Sequence, residues 1–364
     1  MKNNGLLQIS ADLNPQLGGP VIVVNELSSR FNKRYQHTQA VVGKKEHTPV
    51  TSVRLKSIFG NRYGVPTVSS AAKLVRLLRS HDIVLTHGFY LGTTLFAVLL
   101  AKNKVLIMPH GSLEQYQWNK SNYRKFMFDV LFKFVAKYKD FHFIVATEQE
   151  VNSISMKFPK IKVSVVGLGV STPQHFRIHE SKSDPLKLLS FSRITKKKRI
   201  DLIILALSKV DSYQLKCNLI VAGSGDFDLL QKLQSIVIQE KLENRVNFID
   251  WVPESEIDNL FYNVDIFLLP SENENYAVAV AQSIVRGLPV IVSDKVALSS
   301  FVSKHNCGIV INDISTQSIA EAILEVANNL KFYSNNCLDA SSYLLWDNVI
   351  NNWFNLLDGK IHVA

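Results

Sequence analysis

The stretch LPSENENYAVAVAQSIVRGLPVIVSD, residues 269–294, contains the arrangement that decides the fold. A short apolar strand ends at Pro270, a polar loop follows, and hydrophobic spacing predicts a helix over residues 275–286. Gly287 ends that helix, and a second strand is predicted over residues 289–292. A strand, a helix and a second strand in this order are typical of a parallel sheet, which binds ligands at the carboxyl ends of its strands.

The same alternation of short apolar strands and amphipathic helices runs through the whole chain, so the fold class is α/β. The predicted strands are 6–9, 38–42, 83–86, 105–108, 143–146, 163–166, 186–191, 218–222, 245–249, 266–269 and 289–292. The other predicted helices are 20–34, 71–80, 91–101, 122–138 and 345–357. A polar stretch at 175–185 interrupts the pattern and predicts a linker. We therefore expect an N-terminal domain over 1–178, a C-terminal domain over 179–340, and a terminal helix within 341–364.

Charge is distributed unevenly along the 364 residues, whose net charge is +10. Residues 1–180 hold 24 Lys and Arg against 10 Asp and Glu, a net charge of +14, and residues 181–364 hold 17 against 21, a net charge of −4. A basic first half predicts an anionic partner. Acidic lipid or a phosphate-bearing acceptor fits better than nucleic acid, because no nucleic-acid-binding motif is present.

Localisation is predicted from what the sequence lacks. No signal peptide is recognisable at the N-terminus. The longest apolar run, 89–101, is shorter than the roughly 20 residues that span a bilayer. The three cysteines lie far apart without metal-ligand spacing, which favours reduced thiols in a cytoplasmic protein. Motifs of serine hydrolases, P-loop enzymes and zinc proteases are also absent.

Residues 270–290 resemble the donor-site signature of the family 4 (group 1) retaining glycosyltransferases. In that signature Pro-Ser is followed by a Glu, seven residues, a second Glu, and a Gly-Leu-Pro-Val turn. This chain matches at Pro270-Ser271, Glu274 and 287–290, and departs at the second acid, where it has Gln282. The resemblance implies the GT-B fold, in which two Rossmann-like domains face each other across a cleft and a C-terminal helix crosses back to the N-terminal domain.

The resemblance also implies roles for residues of the second half. Glu274 would hold the donor sugar, and Gln282 would address the ribose with a neutral acceptor that is weaker than a carboxylate. Taken alone, Glu274 is more readily explained as a favourable acid on the first turn of a helix. The remaining donor-binding positions implied by the family pattern are Gly223, Gly225, Val252, Asn275, Tyr276 and Ala277. Trp251, beside Val252, is alternatively a core residue.

Two basic residues, Arg193 and Lys198, match the pair with which such families grip the donor diphosphate. The leaving group is a nucleoside diphosphate, and its developing charge requires fixed cations when no metal supplies them. We recognise no Asp-x-Asp pair of the kind that metal-dependent transferases use, and we therefore expect no required metal and no cofactor. A run of basic residues is otherwise most often a solvated loop, and Arg199 stands where the family has a Gly.

The first half carries the other matches. Gly18 and Gly19 precede a helix and resemble the family's loop beside the donor phosphate and the acceptor. His110 follows a strand in the family's His-Gly motif and would reach the donor sugar, and His87 would line the acceptor side. A single histidine at the end of a strand is otherwise usually structural.

Together with these residues, the resemblance implies a metal-independent hexosyltransferase-type enzyme. It would move a sugar with retention from a nucleotide-sugar donor to a glycan or lipid-linked acceptor in bacterial surface polysaccharide synthesis. The alternatives are a catalytically weakened donor-binding partner subunit and a nucleotide-sugar epimerase of the same fold. Residues 120–139 read as a cationic amphipathic helix. It either lies on an anionic membrane from the cytoplasmic side or packs its apolar stripe into the domain core.

Overall fold

The computed structural model describes residues 5–14, 19–43, 52–60, 63–114, 123–178 and 181–360. The chain divides into two compact units. The first contains residues 1–167 together with 350–364, and the second contains residues 168–349. Residues 168–178, which the sequence assigned to the N-terminal domain, belong to the second unit.

The first unit is built on a seven-stranded parallel sheet with the order β3-β2-β1-β4-β5-β6-β7. Its strands are β1 (Gly5–Ser10), β2 (Gln36–Val41), β3 (Ser52–Arg54), β4 (Ile83–His87), β5 (Lys104–Met108), β6 (His142–Val145) and β7 (Lys162–Val165). Its helices are α1 (Gly19–Arg34), α2 (Val68–Ser80), α3 (Gly92–Leu100), α4 (Tyr123–Val135) and α5 (Glu148–Lys157). β1 pairs with both β2 and β4, so the direction of strand addition reverses beside β1.

The second unit is built on a six-stranded parallel sheet with the order β10-β9-β8-β11-β12-β13. Its strands are β8 (Leu186–Phe191), β9 (Cys217–Ala222), β10 (Val246–Ile249), β11 (Ile266–Leu269), β12 (Val290–Ser293) and β13 (Gly308–Ile311). Its helices are α6 (Ile200–Asp211), α7 (Phe227–Gln239), α8 (Glu254–Tyr262), α9 (Val278–Ile284), α10 (Ser299–His305), α11 (Thr316–Asn328) and α12 (Leu330–Ala340). Here the order of strands reverses between β8 and β11.

The last helix, α13 (Trp346–Leu357), contributes to both units: it begins in the second, and residues 350–357 lie in the first. Within the first unit, the fully buried Trp353 packs beside Phe31, with ring centroids 5.9 Å apart. Its indole Nε1 donates to the carbonyl of Gly167 at 3.2 Å.

The fold class predicted from the sequence is confirmed, because both units are parallel sheets flanked by helices. The sequence did not predict β3 and β13, a three-residue and a four-residue strand at the edges of the two sheets. The helix predicted over 275–286 was too long. Ala277 has a left-handed backbone with φ of 57°, so α9 begins only at Val278 and ends at Ile284.

Among the described residues, no helix is long and apolar enough to cross a membrane.

Candidate functional site

The loops that follow β8 and β11 carry a cluster of charged residues in the second unit. These two strands are neighbours at the point where the strand order reverses, and ligands of open parallel sheets bind at such a point. The β8 loop contains the three-residue 3-10 turn Lys196–Lys198, and the β11 loop contains Glu274. The two loops touch, because Glu272 N donates to the Lys197 carbonyl at 2.8 Å.

Glu274 and two lysines form the centre of this site. Lys198 Nζ lies 2.7 Å from Glu274 Oε1, and Lys197 Nζ lies 2.9 Å from the same oxygen. The Ser271 hydroxyl also donates to Oε1, at 3.3 Å. Burial alone would raise the pKa of the Glu274 carboxyl, but the ammonium groups of Lys198 and Lys197 lower this pKa below its usual range. Glu274 is therefore ionised at neutral pH. It does not lie on the first turn of a helix, as one interpretation of the sequence had it.

Lys198 is the buried cation of the site, with 9% of its surface exposed. Burial lowers the pKa of its ammonium group, and Lys197 and Arg193 lower it further, while Glu274 opposes this shift. The pKa values of both members of this ion pair are thus lowered. For Lys198 the cost of burial and the two neighbouring cations together outweigh the single carboxylate.

Arg193 is exposed and makes no ion pair with any residue that the structure describes. The sequence selected Arg193 and Lys198 as cations but passed over Lys197. The three consecutive lysines gave no sign of which would face inwards. Only the 3-10 turn directs both Lys197 and Lys198 towards Glu274 while Lys196 stays exposed.

Arg199 occupies the position where the resembling family has Gly, and its backbone explains that preference. Its φ is 50°, a left-handed conformation that glycine adopts without strain. Its guanidinium pairs with Asp201 at 3.1 Å and with Glu272 at 3.4 Å. The turn shape of the family pattern is therefore kept without its glycine.

Gly223 and Gly225 follow β9, and their missing side chains have a clear structural reason. A Cβ atom on Gly223 would meet the Ser192 carbonyl oxygen at 2.1 Å, and one on Gly225 would meet the Ile194 carbonyl oxygen at 2.2 Å. Both distances are far below any real contact. The glycines thus allow the β9 loop to pack against the backbone of the β8 loop, which carries Arg193 and Lys198.

The other predicted donor-binding residues lie on neighbouring loops. The Tyr276 side chain is buried and donates its hydroxyl hydrogen bond to the Leu168 carbonyl. Asn275 is half-buried beside it. The Gln282 side chain, half-buried on α9, makes no hydrogen bond to the part of the chain that the structure describes. Val252 is half-buried after β10, and Trp251 is 57% exposed, so Trp251 is not a core residue.

Asp226, Phe227 and Asp228 have the Asp-x-Asp form that metal-dependent transferases use, a feature that the sequence reasoning overlooked. Here the carboxylate of Asp226 caps α7 by accepting from the backbone N–H groups of Asp228 and Leu229. Across the described ranges, no group of three or more His, Cys, Asp or Glu is placed to hold a metal ion.

In the first unit, the structure brings His87 and His110 together. His87 ends β4, His110 follows β5, and His87 Nδ1 lies 2.9 Å from His110 Nε2. Burial lowers the pKa of His110 to about 4. Burial also lowers the pKa of His87, as do the nearby His110 and His37. Both imidazoles are therefore neutral at pH 7. His87 is only 5% exposed, so it contacts His110 rather than solvent.

The backbone at His110 has an uncommon conformation, with φ of 53°. The buried carboxylate of Glu150 holds this turn, because it accepts from the N–H groups of Gly111 and Ala146 at 3.1 and 3.0 Å. Gly19 is the first residue of α1 and is half-buried. Gly18 lies outside the described residues.

The helix α4 is apolar on two sides. Phe132 and Val135 are buried in the core of the first unit, against Phe89, Phe141 and Phe158. On the other side lies an exposed apolar surface, which we name the α4 stripe: Phe126, Met127, Val130, Leu131, Phe134 and Tyr138, each at least 45% exposed. The interpretation that packs the apolar side chains of this helix into the core therefore holds for Phe132 and Val135 and is wrong for the α4 stripe.

Comparison with known proteins agrees with these observations. Residues 171–336 match the family described as glycosyl transferases group 1. The chain is 27% identical over 183 residues to the amylovoran biosynthesis glycosyltransferase AmsK of Erwinia amylovora, covering 48% of this chain and 44% of AmsK. It is 38% identical over 107 residues to the O-antigen biosynthesis glycosyltransferase WclY of Escherichia coli, covering 29% of this chain and 28% of WclY. The matches thus span less than half the length of these two relatives.

Among solved structures, the chain resembles Anabaena Alr3699/HepE in complex with UDP and glucose. The TM-score is 0.76 at 15% identity, over 98% of this chain and 99% of that one. The fold is GT-B, with two Rossmann-like units. The family match over residues 171–336 lies within the second unit.

Proposed function

We propose that the protein is a retaining glycosyltransferase that moves a sugar from a nucleotide-sugar donor to a hydroxyl of a glycan or lipid-linked acceptor. The observation that carries this proposal is the contact of Lys197, Lys198 and Glu274 where the strand order of the second unit reverses. The named relatives act in the biosynthesis of amylovoran and O-antigen, which supports bacterial surface polysaccharide as the setting.

In the proposed reaction, the bond between the anomeric carbon and the donor diphosphate breaks. A new bond forms from that carbon to the acceptor oxygen on the same face. The acceptor proton passes to the departing phosphate oxygen, so no separate general base is needed. Arg193 and Lys198, joined by Lys197, stabilise the negative charge that develops on the diphosphate, and these fixed cations replace a metal ion. Glu274 and His110 bind hydroxyls of the sugar, and Gln282 accepts from the ribose.

Arg193 provides the test of this proposal, because it is exposed and its substitution leaves the core intact. We expect Arg193→Ala to lower kcat/KM for the nucleotide sugar by about 100-fold, as the loss of one charge-stabilising group does. Lys196→Ala is the matched control, since Lys196 is exposed in the same loop, and we expect less than a twofold change. The measurement is product formation by the purified protein with EDTA present. Equal rates for wild type and Arg193→Ala contradict the assignment.

Product formation, together with calorimetric measurement of donor binding, separates the alternative functions. A donor-binding partner subunit that is weakened by Gln282 binds the nucleotide sugar in calorimetry but yields no product alone. An epimerase converts the donor without an acceptor. A transferase forms product only when both substrates are present.

We further propose that the α4 stripe rests on an anionic lipid surface, where a lipid-linked acceptor is presented. Exposed and unpaired cations border the stripe within the described residues: Lys133, Lys137 and Lys139. At the start of α4, Arg124 donates to the Tyr63 hydroxyl at 2.6 Å. Tyr63 follows the exposed Ile58 and Phe59 closely along the sequence. Apolar residues flanked by cations match a bilayer of acidic lipids in both chemistry and charge.

Flotation with lipid vesicles tests this surface. We expect the protein to float with phosphatidylglycerol vesicles and much less with phosphatidylcholine vesicles. Phe134→Ser lowers recovery about tenfold, because one buried aromatic side chain contributes about 1.5–3 kcal/mol. Phe332→Ser is the matched control, since Phe332 is 54% exposed in the second unit and Phe134 is 58% exposed. Equal recovery with both kinds of vesicle contradicts the proposal.

A further inference from the structure

The polar side chains behind His110 form a continuous buried chain in the first unit. Gln8, on β1, lies 2.8 Å from His87 through its Nε2 and 2.9 Å from His37 through its Oε1. His87 in turn lies 2.9 Å from His110. Gln8 is fully buried, and His37 and His87 are at most 6% exposed, so water does not compete for these hydrogen bonds.

The direction of each hydrogen bond in this chain follows from one backbone carbonyl. Gln8 Nε2 lies 3.2 Å from the Val24 carbonyl oxygen, which only accepts, so the amide nitrogen must face it. The other hydrogen of the same NH2 group then points at His87 Nε2, which must accept. Gln8 Oε1 correspondingly accepts from His37.

A neutral imidazole carries one proton, so His87, which accepts at Nε2, must carry it on Nδ1. That N–H donates to His110 Nε2, and His110 must therefore carry its own proton on Nδ1. The two rings lie edge to edge, as a hydrogen bond in the ring plane requires. Their centroids are 5.1 Å apart and their planes differ by only 23°. A second proton on either histidine would bring two N–H groups face to face.

We infer that His87, oriented by Gln8, is a positioning residue that fixes His110 as the neutral Nδ1–H tautomer, so that His110 presents a hydrogen-bond donor to an oxygen of a bound sugar. Within the described residues His110 Nδ1 makes no hydrogen bond, and His110 is half-buried, so this N–H is free for a ligand. The turn held by Glu150 keeps the imidazole in place. That the acceptor atom belongs to a sugar rests on the proposed function. The tautomer of His110 follows from the hydrogen bonds alone.

Nitrogen NMR of the imidazoles tests the tautomer on the free, full-length protein at pH 7. Signals of His110 are assigned by their loss in His110→Gln. We expect one-bond coupling of a proton to Nδ1 and a bare Nε2 in His110. The variant His87→Phe keeps an aromatic side chain but removes both ring nitrogens. We expect it to shift His110 towards the Nε2–H form that unconstrained histidine prefers. His87→Gln restores a donor and an acceptor and should preserve the Nδ1–H form. An Nε2–H or doubly protonated His110 in the wild type overturns the inference.

A double-mutant cycle on transfer activity separates positioning from a general structural role. His87→Phe should lower kcat about tenfold, the loss expected for one oriented hydrogen bond. It should change kcat by less than twofold when His110 is already Gln, because His87 acts through His110. Equal losses in both backgrounds overturn the positioning role. A wild type that shows the Nδ1–H tautomer but no transfer contradicts the proposed function alone.

Discussion

At the scale of single residues, Glu274 compensates a concentration of positive charge. Lys198 is buried, Lys197 shares the same carboxylate oxygen, and Arg193 lowers the pKa of Lys198. Without an anion these groups repel each other in a poorly hydrated position. Under the proposed function, the donor diphosphate would supply a second anion to this loop. Glu274 holds the loop together by pairing with both lysines.

This reasoning predicts a pH-dependent cost for Glu274→Gln. The lowered pKa of Glu274 means that its stabilisation is complete above the ordinary carboxyl pKa of about 4.3 and is lost as pH falls through the folded-state pKa. At alkaline pH the cost shrinks again, because the lowered pKa of Lys198 lets this ammonium group lose its proton early. We expect a loss of about 3 kcal/mol in the free energy of unfolding near pH 7, a loss that becomes smaller as pH falls below about 4 and again near pH 10.

Urea unfolding at several pH values measures this cost. Glu272→Gln is the control, because the Glu272 side chain is 43% exposed and lies 3.4 Å from Arg199. Its loss should stay below about 1 kcal/mol at every pH, as for other exposed ion pairs. A cost for Glu274→Gln that does not vary with pH would mean that packing, rather than charge, accounts for it.

At the scale of elements, strand positions were predictable because buried parallel strands are short continuous apolar runs. The runs 186–191 and 266–269 became β8 and β11 with unchanged bounds. Backbone conformations were not predictable in the same way. The left-handed Ala277 shortened the helix after Glu274, and no local signal marks it, because alanine normally favours helix. The seven-residue α9 depends on how the β11 loop packs.

The candidate site was predictable to a similar extent. Glu274 and Lys198 were identified from a motif, and the structure brings them within 2.7 Å of each other. The hydrogen bond between His87 and His110 was not foreseen, although both end neighbouring strands of the same sheet. Nothing in the sequence marked Gln8 as a site residue. The role of a buried glutamine within an apolar strand can be assigned only when its hydrogen-bond partners, 16 to 79 residues away, are known.

At the scale of the whole molecule, the two ends of the chain belong to the same unit. Residues 350–357 of α13 lie with residues 5–167, although the second unit separates them along the sequence. The Trp353 indole is bonded to the Gly167 carbonyl and packs beside Phe31 of α1, and Asp358 binds both Arg34 and Tyr35. The first unit therefore cannot complete its packing until the C-terminal helix is present.

We accordingly predict that Trp353→Ala destabilises the first unit by about 3–5 kcal/mol, because it leaves a large cavity and an unpaired carbonyl. Hydrogen exchange resolved by peptide is the measurement. Peptides from β1 to β7 should lose protection, while those from β8 to β13 should keep theirs, since the core of the second unit contains no atom of Trp353. Trp251→Ala is the matched control, because the exposed Trp251 contributes little burial. If both sheets lost protection equally, the two units would unfold as one cooperative body, and the assignment of Trp353 to the first unit's stability alone would be wrong.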